Sequence, residues 1–333
     1  MVNKCAPVLI PTLCRYEHFK ECIESLKKNS YAQYTDIFIA LDYPLKDAHK
    51  AGYDKICEYL KNDFSEFKSF NVEKRKYNYG CTKNSYELEL KIREKYENLI
   101  YAEDDIVFSP NFLEYMNKTL QYSKNKDDII AVTGYSYPVN WAVKDGATCF
   151  LQQFNCSMWG CGYWFKDIEK VEADIQEHLM YKDFGNIYKK QKNNMIDACR
   201  IDYISCLYKG EGEKNNLLNR VTDVSMRIYM GLYNKKVISP VISKSQNHGF
   251  DGSGLYCAKI DTDNSVGVRA DSFDYSNQII DENNNFDFVL DEQNEQTIKI
   301  NINKLNKFDF RGFKIKFKTL IKILLLYVKK SKR

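Results

Sequence analysis

An α/β fold with a mostly parallel sheet flanked by helices is predicted by two observations. The apolar runs VLIPTL (8–13), DIFIAL (36–41) and NLIYA (98–102) alternate with stretches whose apolar residues recur at helical spacing, the order of strands joined by crossover helices. The chain of 333 residues, 44% hydrophobic and 28% charged, is also long enough to bury the core such a domain needs, with an appendage left over.

VLIPTL is the first strand and stops at Pro11; Phe19, Cys22, Ile23 and Leu26 then mark the buried face of a helix. DIFIAL ends at Asp42 and is followed by a helix over 46–62, buried through Tyr53, Ile56, Tyr59 and Leu60. A third strand near 67–72, the loop KRKYNYG (74–80), a helix over 82–96 and NLIYA (98–102) complete the pattern. Ligands of such sheets bind outside the carboxyl ends of the strands. Glu103, Asp104 and Asp105 fall there, directly after the fourth strand. Crowded anions repel and lose hydration at the end of a buried sheet, so the triplet either stays wet, as a solvated acidic turn, or meets a cation. Mg²⁺ or Mn²⁺ needs only one or two protein carboxylates when water and phosphate oxygens complete its shell. On that reading Asp105 holds the ion, Asp104 accepts from a ribose hydroxyl and Glu103 supports the loop.

Ser109 as N-cap and Pro110 as first helical residue open a helix that buries Phe112, Leu113, Met116 and Leu120. IIAVTG (129–134) is a strand, and TCFLQQFNCSMWGCGYWF (148–165) is a strand leading into a Gly- and Trp-rich turn. Residues 167–180, 186–209 and 221–234 read as helices, 236–242 as a strand and SKSQNHGFDGSG (243–254) as a loop. From about 265 the chain turns rich in Asn, Asp and Glu, the composition of a linker. Three segments follow: a domain over 1–265, an acidic, Asn-rich linker or arm over 266–305 and a basic tail over 306–333.

Composition removes several classes. Eleven cysteines, with no C-x-x-C pair and no metal-type spacing to the four histidines, suit reduced thiols in a cytosolic protein. The N-terminus has no signal-peptide pattern, and no apolar run is long enough to span a bilayer. Residues 301–333 hold eleven Lys and Arg against Asp309 alone, within a chain of net charge +4, so the folded body is net acidic and unlike a nucleic-acid-binding domain. In the tail, Leu320 to Val328 cluster between lysines and suit an anionic membrane interface; a helix docked on the domain is the alternative. The loop NHGFDGSG has glycines that allow close backbone approach to a phosphate, yet it is no Walker or dinucleotide fingerprint. His248 within it either approaches a metal or diphosphate or is structural. Asp223 and Arg227 share one helical face, where the arginine either holds the carboxylate ionised or makes an ordinary ion pair. Gly160 and Gly162, between Trp159 and Trp164, either let a sugar approach the backbone or form a tight turn with core tryptophans.

The segments VLIPTLCR, IALDYP, YNYGCTKN, YAEDDIVFSPNFLEYM, SMWGCGYW and NHGFDGSG occur in the order seen in nucleotide-sugar glycosyltransferases of the GT-A fold. Over roughly residues 5–257 the chain resembles bacterial family 2-like sugar transferases and, more distantly, N-acetylglucosaminyltransferase I. The resemblance implies that Thr12, Arg15 and Asp42 line a nucleotide-base pocket and that Asn78, Gly80 and Asn84 lie along the nucleotide. It implies that Glu103, Asp104 and Asp105 are the metal motif, with Asp105 the ligand. It implies Asp223 as the base of an inverting transfer, with Glu211 and Glu213 as reserves, and places Trp159, Gly160 and Gly162 near a sugar. Members of the family often carry an apolar residue where His248 stands. The implied activity is hexosyl or N-acetylhexosaminyl transfer from a nucleotide sugar, UDP-linked first, to a glycan or lipid-linked acceptor on the cytoplasmic face of a bacterial membrane, with Mn²⁺ or Mg²⁺. A metal-dependent nucleotidyltransferase or phosphohydrolase, or a non-catalytic glycan-binding protein, are the competing readings.

Overall fold

The computed structural model describes residues 5–177, 221–254 and 278–306, and Ile321. Its first half alternates as the apolar runs require. Strand β1 (Val8–Thr12) leads to helix α1 (Tyr16–Lys27), β2 (Asp36–Leu41) to α2 (Asp47–Tyr59), β3 (Ser69–Lys74) to α3 (Cys81–Arg93), and β4 (Asn98–Tyr101) follows. These four strands are mutually parallel in the order β3-β2-β1-β4. Val8, Leu9, Ile10, Ile37, Ile39, Leu99 and Ile100 have no solvent exposure, because helices cover both faces of a parallel sheet. Each such side chain contributes roughly 1.5–3 kcal/mol of burial.

Proline in a central strand normally removes a ladder hydrogen bond. Here the β1–β4 ladder ends at Leu9 opposite Tyr101, two residues before Pro11, while β1 continues beside β2 to Thr12. β1 and β4 therefore part at their carboxyl ends. Chain connections leave β1 toward β2 on one side and reach β4 on the other, so this parting is the topological switch point where α/β sheets bind ligands.

After β4 come the short strand β5 (Ile106–Phe108), α4 (Phe112–Ser123), β6 (Ile129–Thr133), β7 (Cys149–Gln152), β8 (Cys161–Trp164) and α5 (Phe165–Gln176). Helix α6 (Asp223–Tyr233), β9 (Lys236–Pro240), β10 (Ser245–Asn247), β11 (Leu290–Asp291) and α7 (Glu295–Asn306) complete the described chain. The main sheet of nine strands runs β11-β7-β9-β6-β8-β4-β1-β2-β3, and β5 and β10 form a separate antiparallel pair. The α/β class with a mostly parallel, helix-flanked sheet is as predicted.

Several details differ from expectation. Residues 161–164, read as the end of a turn, form β8, inserted antiparallel between β4 and β6. Gly162 makes this possible: a Cβ there would stand 3.1 Å from Leu120 Cδ1, so its absence lets α4 lie close on the sheet. The cap position of α4 is Asn111, not Ser109, whose N–H donates to the Lys244 carbonyl and whose hydroxyl donates to Asn111 Oδ1, each at 3.0 Å. The inward face of α4 is as expected, with Phe112, Leu113, Met116 and Leu120 buried.

Where composition suggests a loose arm over 266–305, the described part, 278–306, is built into the body. Phe286 is buried edge-on against Tyr115 at 5.0 Å, and its N–H donates to Glu114 at 2.9 Å. Asn111 donates to Asp281 at 3.0 Å and to the Asn285 carbonyl at 2.9 Å. Lys244 and Asp281 form a buried ion pair, β11 extends the sheet beside β7, and Asn301 of α7 accepts from the Ala142 N–H at 2.9 Å. Polar residues that read as solvated in sequence thus serve as specific hydrogen-bonding groups. Among the described residues no helix is long and apolar enough to cross a membrane; except for Ile321, residues 307–333 lie outside them.

Candidate functional site

The parting of β1 and β4 sets Thr12 and Arg15 against the acids that follow β4. Thr12 Oγ1 donates to Asp104 Oδ2 at 2.7 Å. Arg15, at the N-cap position of α1, forks across both acids, with Nη1 donating to Asp105 Oδ2 at 2.8 Å and Nη2 to Asp104 Oδ1. Asp104 and Asp105 are each only 5% exposed, so the triplet is not a wet turn: two of its carboxylates are drawn in and meet a cation. Burial pushes the Asp104 carboxyl up, Arg15 opposes this and Asp105 adds to it; the net direction is upward. Burial disfavours the Arg15 charge, but the two acids more than offset it and raise the guanidinium. Glu103 is partly buried, and its carbonyl accepts from the Cys22 thiol at 3.7 Å.

The segment 247–254 closes the other side. The His248 N–H donates to the Asp105 carbonyl at 2.8 Å. Gly249 lies so close that a Cβ there would stand 2.0 Å from Asp105 Oδ2. Asn247 Oδ1 accepts from the Gly249 N–H at 2.7 Å, and the Gln278 amide pairs with the Asn247 backbone at 2.9 and 3.0 Å. The segment is pinned to α1 by His248 Nδ1 to Glu21 Oε2 at 3.0 Å and His18 Nε2 to Asp251 Oδ2 at 2.9 Å. It is thus the backbone of His248 that bonds to Asp105, while its imidazole pairs with Glu21.

Two buried atoms here have no hydrogen-bond partner among the described residues: Asp105 Oδ1, an acceptor, and Asn247 Nδ2, a donor. A buried carboxylate oxygen without a donor is costly, and a cation satisfies it. The residues therefore fit a divalent ion held at one corner by Asp105, with water and phosphate oxygens completing the shell. Among the described residues, no group of three or more His, Cys, Asp and Glu forms a metal cage.

A second group stands at the ends of β2 and β3. Asp42 accepts from the N–H groups of Tyr43, Tyr79 and Gly80 at 2.8 to 2.9 Å and from Asn78 Nδ2 at 3.2 Å. Gly80 takes φ +76° at the N-cap of α3. Asn84 is buried, donating to the Ala40 carbonyl at 2.7 Å and accepting from Arg75 Nε at 2.8 Å. Asp42 and Asn84 brace this loop from inside. Tyr43 and Tyr77, which the sequence did not single out, are the exposed aromatic faces at its rim.

Trp159 is buried, edge-on to Tyr135 at 4.7 Å and to Phe250 of the 247–254 segment at 5.8 Å. Gly160, at φ +78°, faces Phe112, whose Cε2 would lie 2.8 Å from an added Cβ. Gly160 and Gly162 both lie against α4 side chains, Phe112 and Leu120. Cys156 and Cys161 are buried together, and their mutual hydrogen bond, with burial, raises the Cys161 thiol strongly.

Asp223 begins α6 behind a capping box in which Ser225 N donates to Thr222 Oγ1 at 3.2 Å and Thr222 N to Ser225 Oγ at 2.7 Å. Asp223 Oδ2 accepts from Arg227 Nη2 at 3.2 Å, and the carboxylate remains one-third exposed. Glu211 and Glu213 lie outside the described residues. The structure thus joins Thr12, Arg15, Asp104, Asp105 and the His248 backbone, sets Asp42, Asn78, Gly80 and Asn84 beside them on the sheet edge, and leaves Asp223 and Arg227 as a pair on α6. Sequence reasoning missed His18, Glu21 and Asn247. The i, i+3 spacing of His18 and Glu21 on one face of α1 was the available signal.

No protein-family model and no curated protein matches the chain. Among solved structures, S. aureus TarS is similar at 13% identity and a TM-score of 0.35, over 50% of this chain and 30% of that one. The mannosyltransferase PcManGT from Pyrobaculum calidifontis, in complex with GDP-Man and Mn²⁺, is similar at 11% identity and a TM-score of 0.35, over 50% of this chain and 46% of that one. TarS 1–349 in complex with UDP gives 11% identity and a TM-score of 0.36, over 69% and 71%. The chain spans less than half the length of the first two.

Proposed function

We propose that this chain is an inverting, metal-dependent glycosyltransferase that moves a hexosyl or N-acetylhexosaminyl group from a nucleotide sugar, UDP-linked first, to a glycan or lipid-linked acceptor. The observation that carries the reading is Asp105 Oδ1, a buried acceptor with no described partner, at the switch point where α/β sheets take ligands. The ordered segments that resemble GT-A sugar transferases support it independently.

When bound, Mn²⁺ or Mg²⁺ neutralises charge developing on a leaving diphosphate. Asp105 is the residue that would hold it. Thr12 and Arg15 fix the Asp104 carboxylate, which is then positioned to accept from a ribose hydroxyl. Asp42 holds the 78–80 backbone at the sheet edge, setting the exposed Tyr43 and Tyr77 faces beside a nucleobase. Asp223, one-third exposed and steadied by Arg227, takes the proton of the acceptor hydroxyl. The basic tail holds the chain at an anionic cytoplasmic membrane surface, suiting a growing bacterial surface glycan.

The test is turnover of a panel of nucleotide sugars by the purified chain, with and without Mn²⁺, and the anomeric configuration of the product by NMR. Metal-dependent turnover with inversion, abolished by Asp105→Ala, supports the reading. Retained configuration defeats the role of Asp223, and turnover unchanged in Asp105→Ala defeats the metal assignment.

A further inference from the structure

We propose that Arg15 is an exchangeable counter-ion: it holds Asp104 and Asp105 in the ligand-free chain and leaves Asp105 when a divalent cation binds there. The inference rests on the glycosyltransferase reading for the identity of the ligand, and on the geometry alone for the exchange.

Three of the four carboxylate oxygens have donors, Asp104 Oδ2 from Thr12 and one oxygen of each acid from Arg15. The fourth, Asp105 Oδ1, has none among the described residues although it is buried. One guanidinium against two carboxylates leaves an uncompensated negative charge in a low-dielectric corner; a divalent ion at Asp105 supplies the missing compensation. The arrangement leaves room in its charge balance for an ion that takes the place of Arg15 at Asp105. Position agrees, since the Arg15 side chain is 22% exposed and the two acids 7% and 6%. The arginine thus lies on the solvent side of its partners. Gly249 lies against Asp105 Oδ2, the same oxygen that accepts from Arg15 Nη1. A cation arriving from solvent therefore meets Arg15 first.

A guanidinium is always charged and suited to bidentate contact with carboxylate or phosphate. Released from Asp105, Nη1 needs a new acceptor while Nη2 stays on Asp104, and a diphosphate arriving with the metal supplies one. Metal alone offers no such partner. Metal and nucleotide consequently bind as a linked pair, each strengthening the other by the same factor.

The experiment measures Mn²⁺ affinity by electron paramagnetic resonance, with and without UDP, for the wild-type chain, Arg15→Gln and Arg15→Lys, with thermal melts to check folding. Wild type is expected to bind Mn²⁺ weakly alone and about tenfold or more tighter with UDP, within the usual range of coupling. Arg15→Gln should bind Mn²⁺ alone about tenfold more tightly than wild type and lose most of the UDP effect; Arg15→Lys, charged but without the fork, should fall between. Mn²⁺ affinity in Arg15→Gln no greater than in wild type overturns the exchange. As a second measurement that needs no variant, ¹⁵N NMR of the wild-type Arg15 guanidinium should show its hydrogen-bonded Nη signals change on adding Mg²⁺ and UDP. Unchanged signals with Mg²⁺ bound overturn it equally. The two readings fail separately: tighter Mn²⁺ binding by Arg15→Gln with no nucleotide affinity in any chain supports the exchange while removing the donor.

Discussion

Gly249 presses on Asp105 more closely than any side chain could, since even a methyl group would stand 2.0 Å from Asp105 Oδ2. Gly249→Ala must therefore shift the 247–254 segment or the carboxylate. Overpacking of this kind destabilises by about 1–3 kcal/mol. The expected outcome is a melt lowered by that order and a larger loss of Mn²⁺-dependent UDP affinity, measured by calorimetry. Asp251 pins the same segment to α1. Burial pushes its carboxyl up, but hydrogen bonds from Ser253 and then His18 bring it from 3.8 to about 2. A carboxyl lowered on folding contributes stability above its unfolded value and loses it as pH falls through the folded one. The protection of the Ser253 amide against hydrogen exchange should hold near pH 4 and fade toward pH 2; in Asp251→Asn that acid dependence should vanish. At this scale the sequence showed which residue types carry chemistry. It did not show that Asp105 is gripped by Arg15, because that contact spans 90 residues.

Elements decide where those residues meet. The first four strands were legible because a parallel strand buried on both faces reads as a continuous apolar run. β8 was not, since CGYW combines glycine and aromatics, and its strand character comes from its neighbours β4 and β6. Gly160 shows the same dependence: Gly160→Ala would set a methyl 2.8 Å from Phe112 at a left-handed φ, with an expected cost of about 1–3 kcal/mol in urea unfolding and no gain in sugar binding. How 278–306, the described part of the segment read as a linker or arm over 266–305, meets the body was not legible because composition reports solvation and not partners. Its anchor is Lys244 with Asp281: burial pulls the ammonium down although Asp281 supports it, while Asp281, also penalised by burial, is held low by Lys244 and Asn111. Each group is the other's compensation. Lys244→Met leaves a buried carboxylate uncompensated and should cost about 3–5 kcal/mol, with Lys244→Met/Asp281→Leu recovering much of it. Urea midpoints of the three chains measure this.

On the scale of the molecule, the sheet order creates a crevice that no segment states by itself. The crossovers run one way from β1 and the other way to β4, and only closing the whole sheet reveals that Pro11 lies beyond the last β1–β4 pair. The basic tail is a separate matter, legible as charge and apolarity alone. The 333-residue chain should sediment with vesicles containing phosphatidylserine and detach as salt rises, at about 1 kcal/mol per basic residue near the surface; a chain ending at residue 306 should not bind them. Binding by the shortened chain would move the membrane contact to the body.

On the proposed function, the buried Asp105 carboxylate takes a divalent cation together with a nucleotide diphosphate. Calorimetry of UDP binding with and without Mn²⁺, in wild type and Asp105→Asn, decides this. UDP affinity should rise with Mn²⁺ in wild type and be indifferent to it in Asp105→Asn. Equal metal dependence in both chains, or none in wild type, would contradict it.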